Sequence, residues 1–247
     1  MIYRYFFHIG KYLLLLKSLF KKPENWHVYQ KELFKQLNDI GIGSLAIVSI
    51  ISVFVGAVTA VQTAYQLTSG LIPKSVIGSI ICDSTLLELA PTITSLVLAG
   101  KIGSHVASEL ATMRVTEQID ALEVMGINVT SYLIMPKILG AVIILPMLII
   151  IAAAFSISGG AIAGILSGHF SFNEFMYGAQ DTFRLYNVIL MLTKSLTFAF
   201  LITSISSYQG FYVKGGALEV GAASTRAVVF SCISILLADF LIADLMI

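Results

Sequence analysis

The sequence predicts an all-α membrane protein. It has an N-terminal interfacial amphipathic helix, about five transmembrane helices and one amphipathic helix on the cytoplasmic side. Three observations carry this expectation. Of the 247 residues, 57% are apolar and only 12% are charged, and the mean hydropathy is +0.90. That charged share is about half the ~25% of soluble domains. Two stretches, Ile40 to Pro73 and Ile138 to Asn173, hold no Asp, Glu, Lys or Arg. Each exceeds the ~20 residues needed to cross a hydrocarbon core of about 30 Å. Finally, Lys and Arg crowd into alternate connections, which sets orientation.

The elements follow in order. Residues 3–22, YRYFFHIGKYLLLLKSLFKK, are too basic and too short in apolar run to span. Their aromatics, leucines and lysines suit a helix lying in the headgroup region, and Pro23 is its expected stop. WHVYQKELFKQLNDIG is read as a second surface piece ending at Gly41. Three further spans are interrupted by isolated charges: Leu86 to Val106 by Glu88 and Lys101, Tyr186 to Tyr208 by Lys194, and Ala227 to Ile247 by Asp239 and Asp244. Domain boundaries are set at 1–39 for the basic segment and 40–247 for the transmembrane part.

Arg4, Lys11, Lys17, Lys21, Lys22, Lys31, Lys35, Arg114, Lys137, Lys214 and Arg226 fall on one side, against Lys74 and Arg184 on the other. The bias places the N-terminus in the cytoplasm, and five crossings place the C-terminus on the far side. No secretory signal and no transit peptide is visible, which favours a bacterial cytoplasmic membrane.

Residues 107–128, ASELATMRVTEQIDALEVMGIN, do not belong in lipid. Val115, Ile119, Leu122 and Met125 recur at helical spacing, and Gly126 with Asn128 makes a helix stop. The polar face carries Glu109, Glu117, Asp120 and Glu123 with a single Arg114. A lipid-surface helix is normally rich in Lys and Arg, so this one suits a protein partner or a solvated connection.

Several function classes are disfavoured. A net charge of +1 gives no field to attract nucleic acid. Two cysteines make no disulfide framework. No HExxH, paired acidic metal motif or GxSxG appears, so neither a catalytic residue nor a metal site is expected. Gly100-Lys101 lacks the glycine and hydroxyl of a phosphate loop, with Ser95 and Ile102 at those places. Glu88, Lys101, Lys194 and Asp239 lie within spans, where charges pair, snorkel or face water. An ion relay through Glu88, Lys101 and Asp239 in a secondary transporter or channel is the alternative function, although no internal repeat supports it.

The stretch from Glu88 to Asn128, ELAPTITSLVLAGKIGSHVASELATMRVTEQIDALEVMGIN, resembles the signature of the MlaE/YrbE permeases. SVFVGAVTAVQTAYQ, Ser52 to Gln66, is similar to that family's first span, and YQGFYVKGGALEVGAASTRAVVFSC, Tyr208 to Cys232, to the block before its last. Ala90 and Lys101 stand where the family pattern has Gly and Arg, and Glu219 where it often has a small residue.

The resemblance implies the membrane subunit of an ABC transporter with no chemistry of its own. A second copy of the chain, a cytoplasmic ABC ATPase holding ATP and Mg, and a periplasmic MCE-domain protein would be its partners. Phospholipid would be the cargo, moved between the inner membrane and the MCE protein so as to maintain outer-membrane lipid composition. It also implies that residues 107–126 are a coupling helix, in which Glu109, Arg114, Val115, Glu117, Gln118, Asp120 and Glu123 engage the ATPase. Phe54, Val58, Glu88, Lys101 and Lys214 are the residues expected to touch lipid.

Overall fold

A computed structural model describes residues 2–19, 26–67 and 73–246. Within them the chain forms eight helices and no strand. They are α1 (Ile2–Leu19), α2 (Trp26–Gln66), α3 (Ser75–Val115), α4 (Gln118–Val124), α5 (Thr130–Leu166), α6 (Phe172–Asp181), α7 (Leu185–Phe211) and α8 (Ala217–Met246). Five of these, α2, α3, α5, α7 and α8, are long and apolar enough to cross a membrane. The expected stop at Pro23 lies outside the described residues.

The helices differ from expectation in three places. The surface piece before Gly41 is not separate, because α2 runs unbroken for 41 residues from Trp26. At 1.5 Å per residue it is about 62 Å long, roughly twice the hydrocarbon thickness. Gly41 does not end the helix, because its missing side chain makes room for Ile144, whose Cγ1 would lie 2.9 Å from a Cβ there. The second span starts at Ser75 rather than Leu86, so the apolar run SVIGSIICDST belongs to α3. Finally, residues 107–126 are not one helix. The chain breaks at Thr116–Glu117, where Glu117 takes left-handed φ 60° and ψ 12°, and α4 starts afresh. Gly126, at φ 81°, then closes α4 as its sequence suggested.

Two helices carry π-helical turns. In α3 they cover Thr85–Ile93 and Ala99–Gly103, and in α5 Thr130–Ile134. Pro91 sits inside the first of these. Proline has no N–H to donate and crowds the carbonyl four residues back, so a wider turn accommodates it.

The chain divides into two compact units. The first comprises residues 1–42, 98–144 and 198–238, and the second 43–97, 145–197 and 239–247. In the first unit Ile119, Leu110, Ile134 and Phe198 are wholly buried, and Ala111, Val213 and Ala223 form a cluster flanked by Val115 and Val220. The apolar side of α1 divides. Leu15 and Leu19 pack inward, while Phe6, Phe7, Ile9, Leu13 and Leu14 face away from the protein, as a helix lying in a lipid interface requires.

In the second unit α2 and α5 cross at backbone contact. A Cβ on Gly56 would lie 1.8 Å from the Ser156 carbonyl oxygen, so only glycine fits. The short helix α6 opens with a capping box: the Ser171 hydroxyl accepts from the Glu174 N–H, and the Glu174 carboxylate accepts from the Ser171 N–H. It docks on the start of α3, where the Ser79 hydroxyl donates to the Gly178 carbonyl at 2.8 Å. The Glu174 carboxyl is held below the usual range by the Ser171 N–H, then by the Ser171 hydroxyl, with Lys74 helping against a small desolvation.

Candidate functional site

The residues expected to couple to a partner lie in the first unit, around the α3–α4 turn. Arg114, in the last turn of α3, folds back over the break. Its guanidinium lies 2.7 Å from Asp120 and 3.6 Å from Glu123 on α4. This pairing holds α4 against α3 and offsets the strain of a non-glycine residue at positive φ. Glu117 and Gln118 are exposed at the bend, and Val115 packs toward Val213 and Ala223. Glu109 stands apart from the turn and pairs with Lys137, which is 1% exposed.

The far end of α4 shows what sequence periodicity missed. Ile119 is buried, but Met125, assigned by spacing to the same face, is 65% exposed, and its neighbour Val124 is 88% exposed. Two adjacent bare apolar side chains thus stand at the tip of a short helix held by an ion pair. α4 ends at Val124 and Met125 is its non-helical C-cap, so a helical wheel no longer places Met125 beside Ile119.

An aromatic cluster joins α1 to this region. His8 Nδ1 and the Tyr208 hydroxyl are 2.7 Å apart, and the Tyr12 and Ser204 hydroxyls 2.8 Å. The Lys11 ammonium sits 3.6 Å above the Tyr212 ring, and the Arg114 guanidinium 5.9 Å from the Phe211 ring. Burial, then the nearby Lys214 and Arg114 cations, pull the Lys11 ammonium below its ordinary lysine range. Burial raises the Tyr212 phenol, with Arg114 opposing and Glu123 adding to it. Sequence reading passed over these tyrosines because aromatics are common at membrane interfaces.

Of the residues expected to touch lipid, three lie in the second unit and two in the first. Phe54, Val58, Val61 and Tyr65 recur every three or four residues as an exposed stripe along α2. Val58 and Val61, with Ala57, Gln62, Tyr65 and Ala163, line an open, almost wholly apolar groove of about 490 Å³. Lys101 and Lys214 are exposed and belong to the first unit. The proposed relay of Glu88, Lys101 and Asp239 therefore has members in both.

Glu88 belongs to an ion cluster built on Lys194, whose side chain is 0% exposed. The Lys194 Nζ donates to the Leu87 carbonyl at 2.9 Å and lies 2.7 Å from both Glu88 and Asp239. The Glu88 carboxylate accepts a second ammonium proton, whereas Asp239 Oδ1 is paired with the ammonium by charge, without an aligned hydrogen bond. Thr92 lies within hydrogen-bond reach of Glu88 and Asp239, at 3.3 and 3.1 Å. The cluster ties α3, α7 and α8 together inside the membrane-crossing helices, where an unpaired charge would be expensive.

Comparison with known proteins agrees with this architecture. The family model for the MlaE permease matches residues 33–245. A probable ABC transporter permease of Rickettsia typhi is 35% identical over 94% of this chain and 88% of its own length. Another, from Synechocystis, is 34% identical over 89% and 83%. The chloroplastic protein trigalactosyldiacylglycerol 1 of Arabidopsis thaliana is 33% identical over 88% of this chain and 62% of its own. A family match spanning most of five membrane-crossing helices, with permease relatives covering nearly the whole chain, means that the chain belongs to the MlaE family of ABC transporter permeases.

Proposed function

We propose that this chain is the membrane subunit of an ATP-driven phospholipid transporter of the bacterial inner membrane, with its N-terminus cytoplasmic and its C-terminus periplasmic. ATP and Mg are bound by a separate cytoplasmic ATPase. Two copies of this chain form the transmembrane part, and a periplasmic MCE-domain protein exchanges lipid with it, maintaining outer-membrane lipid composition. The single observation that carries the reading is the α4 tip. Val124 and Met125 are bare apolar side chains on a helix fixed by Arg114, the form of a plug for a cleft in another chain. Glu117, Gln118, Asp120 and Glu123 supply a polar rim around them.

Two further points support a lipid cargo. The α2 groove offers apolar wall with one glutamine, which suits acyl chains. One relative carries the name of a lipid, trigalactosyldiacylglycerol.

The test is purification in mild detergent after co-expression with the neighbouring genes, with bound chains and lipids identified by mass spectrometry. Wild type is expected to carry an ATPase, an MCE protein and phospholipid. Val124→Asp with Met125→Asp, both exposed and so compatible with folding, is expected to lose the ATPase and keep the lipid. A wild-type chain that purifies without an ATPase or lipid refutes the proposal.

A further inference from the structure

We propose that α1 is a positioning helix for the α3–α4 turn, and that Lys11 and Tyr212 are the residues through which it acts. The inference rests on the reading of that turn as the ATPase-engaging element and adds the device that holds it in place.

The contacts run without a gap through the first unit. From α1, His8 meets Tyr208, Tyr12 meets Ser204, and Lys11 covers the Tyr212 ring. Tyr212 stands edge-on to Tyr208 and Phe211, with ring centres 5.3 and 5.0 Å away. Phe211 lies beneath the Arg114 guanidinium, and Arg114 holds Asp120 and Glu123. On the other side of α4, the Asn128 amide donates to the Ser18 carbonyl at 3.5 Å. The segment from Arg114 to Asn128 is therefore held near both of its ends by groups that α1 braces.

Lys11 stands near two further cations, Lys214 and Arg114, and Arg114 is itself paired with Asp120 and Glu123. The negative faces of Tyr212 and Phe211 sit against Lys11 and Arg114 and seat both cations on one aromatic platform. On its other side α1 exposes Phe6, Phe7, Leu13 and Leu14, so a shift of α1 in the lipid interface moves Lys11 directly. The bilayer surface and the turn are thereby mechanically joined.

The test uses two readouts on the same variants. Hydrogen exchange of amides 118–125 is measured on the purified permease without any partner. Lipid moved per ATP hydrolysed is measured on the reconstituted complex. Tyr212→Leu and Lys11→Met are expected to raise exchange in α4 and to lower transport per ATP, each about five-fold, the size one cation–π contact carries. Tyr212→Phe and Lys11→Arg keep ring and charge and are expected to match wild type in both. Unchanged exchange in Tyr212→Leu overturns the proposal, and so does an equal effect of Tyr212→Phe and Tyr212→Leu. The exchange readout needs no ATPase, so it decides the positioning role even where the wild-type chain fails to recruit one.

Discussion

Replacing Lys194 with methionine should be the most damaging single change within the ion cluster of the second unit. The substitution keeps the length of the side chain and removes one cation from two carboxylates. Asp239 is 14% exposed and has Lys194 within 2.7 Å, so it is left charged in an apolar setting. Glu88 is 48% exposed and can turn toward its open side, which reduces its share of the loss. Removing one partner of a buried ion pair costs about 3–5 kcal/mol, and the exposure of Glu88 puts Lys194→Met near the lower end, about 3 kcal/mol. The other members rank below it. Asp239→Asn leaves Lys194 paired with Glu88 and the Leu87 carbonyl, and should cost about 1.5 kcal/mol. Glu88→Gln leaves one cation facing one carboxylate and should stay within about 1 kcal/mol of wild type. Combining Lys194→Met with Asp239→Leu removes the stranded carboxylate and should recover a large part of the single loss. Denaturation in mixed micelles, read by tryptophan-independent circular dichroism, gives all four values. The reasoning fails if Lys194→Met unfolds no earlier than Glu88→Gln, or if the double variant is less stable than Lys194→Met.

Other outcomes follow from single contacts. Gly56→Val should leave little folded permease on size-exclusion chromatography, because its Cβ would lie 1.8 Å from the Ser156 carbonyl and neither backbone can yield. Glu117→Gly should preserve or raise stability by up to about 1 kcal/mol, whereas Glu117→Val should lower it, since φ 60° is natural for glycine and strained for a β-branched residue; thermal melting separates the two. Ser171→Ala should loosen the start of α6 by about 1 kcal/mol, seen as faster exchange of its first-turn amides. The Glu174 contribution to that cap has a defined sign. Its folded pKa lies below the unfolded one, so the contribution is complete above pH about 4.3 and is lost as pH falls toward the folded value. Protection of α6 should therefore hold from neutral pH down to mildly acid pH, fall below it, and become pH-independent in Glu174→Gln.

The five spans were legible because hydropathy alone decides which segments enter lipid. The charge-free runs at 40–73 and 138–173 contain the centres of α2 and α5, and the weaker runs containing Glu88, Lys194 and Asp239 also cross. Helix length beyond the bilayer was not legible, because outside lipid the pattern gives no reason to stop at Gly41 or to start at Leu86. The break at Glu117 was hidden for a sharper reason. The segment contains neither Gly nor Pro between Ala107 and Met125, and the left-handed turn is sustained by Arg114 reaching three and six residues past it to Asp120 and Glu123. Such a contact exists only after the chain has turned.

Charge placement shows the same division. That Glu88, Lys194 and Asp239 need partners follows from the cost of charge in lipid, yet which partners they take does not, because 106 residues separate Glu88 from Lys194 and 45 separate Lys194 from Asp239. Once formed, the cluster changes what these residues can be asked to do. The Lys194 ammonium is wholly buried, donates to the Leu87 carbonyl and Glu88, and is paired by charge with Asp239, so it fastens α3, α7 and α8. Lys137 is equally sealed and is held by Glu109, which removes that carboxylate from the free polar rim of residues 107–126. Among the carboxylates of residues 107–126, those still open to another chain are at the α3–α4 bend: Glu117 in full, and the exposed sides of Asp120 and Glu123. Arg114 is different in kind from these three, since it holds the bend together, and a charge reversal there should unfold the turn before it reports on any contact with a partner. Variants that probe docking therefore belong at Glu117, Val124 and Met125, and variants that probe the frame belong at Arg114, Lys137 and Lys194.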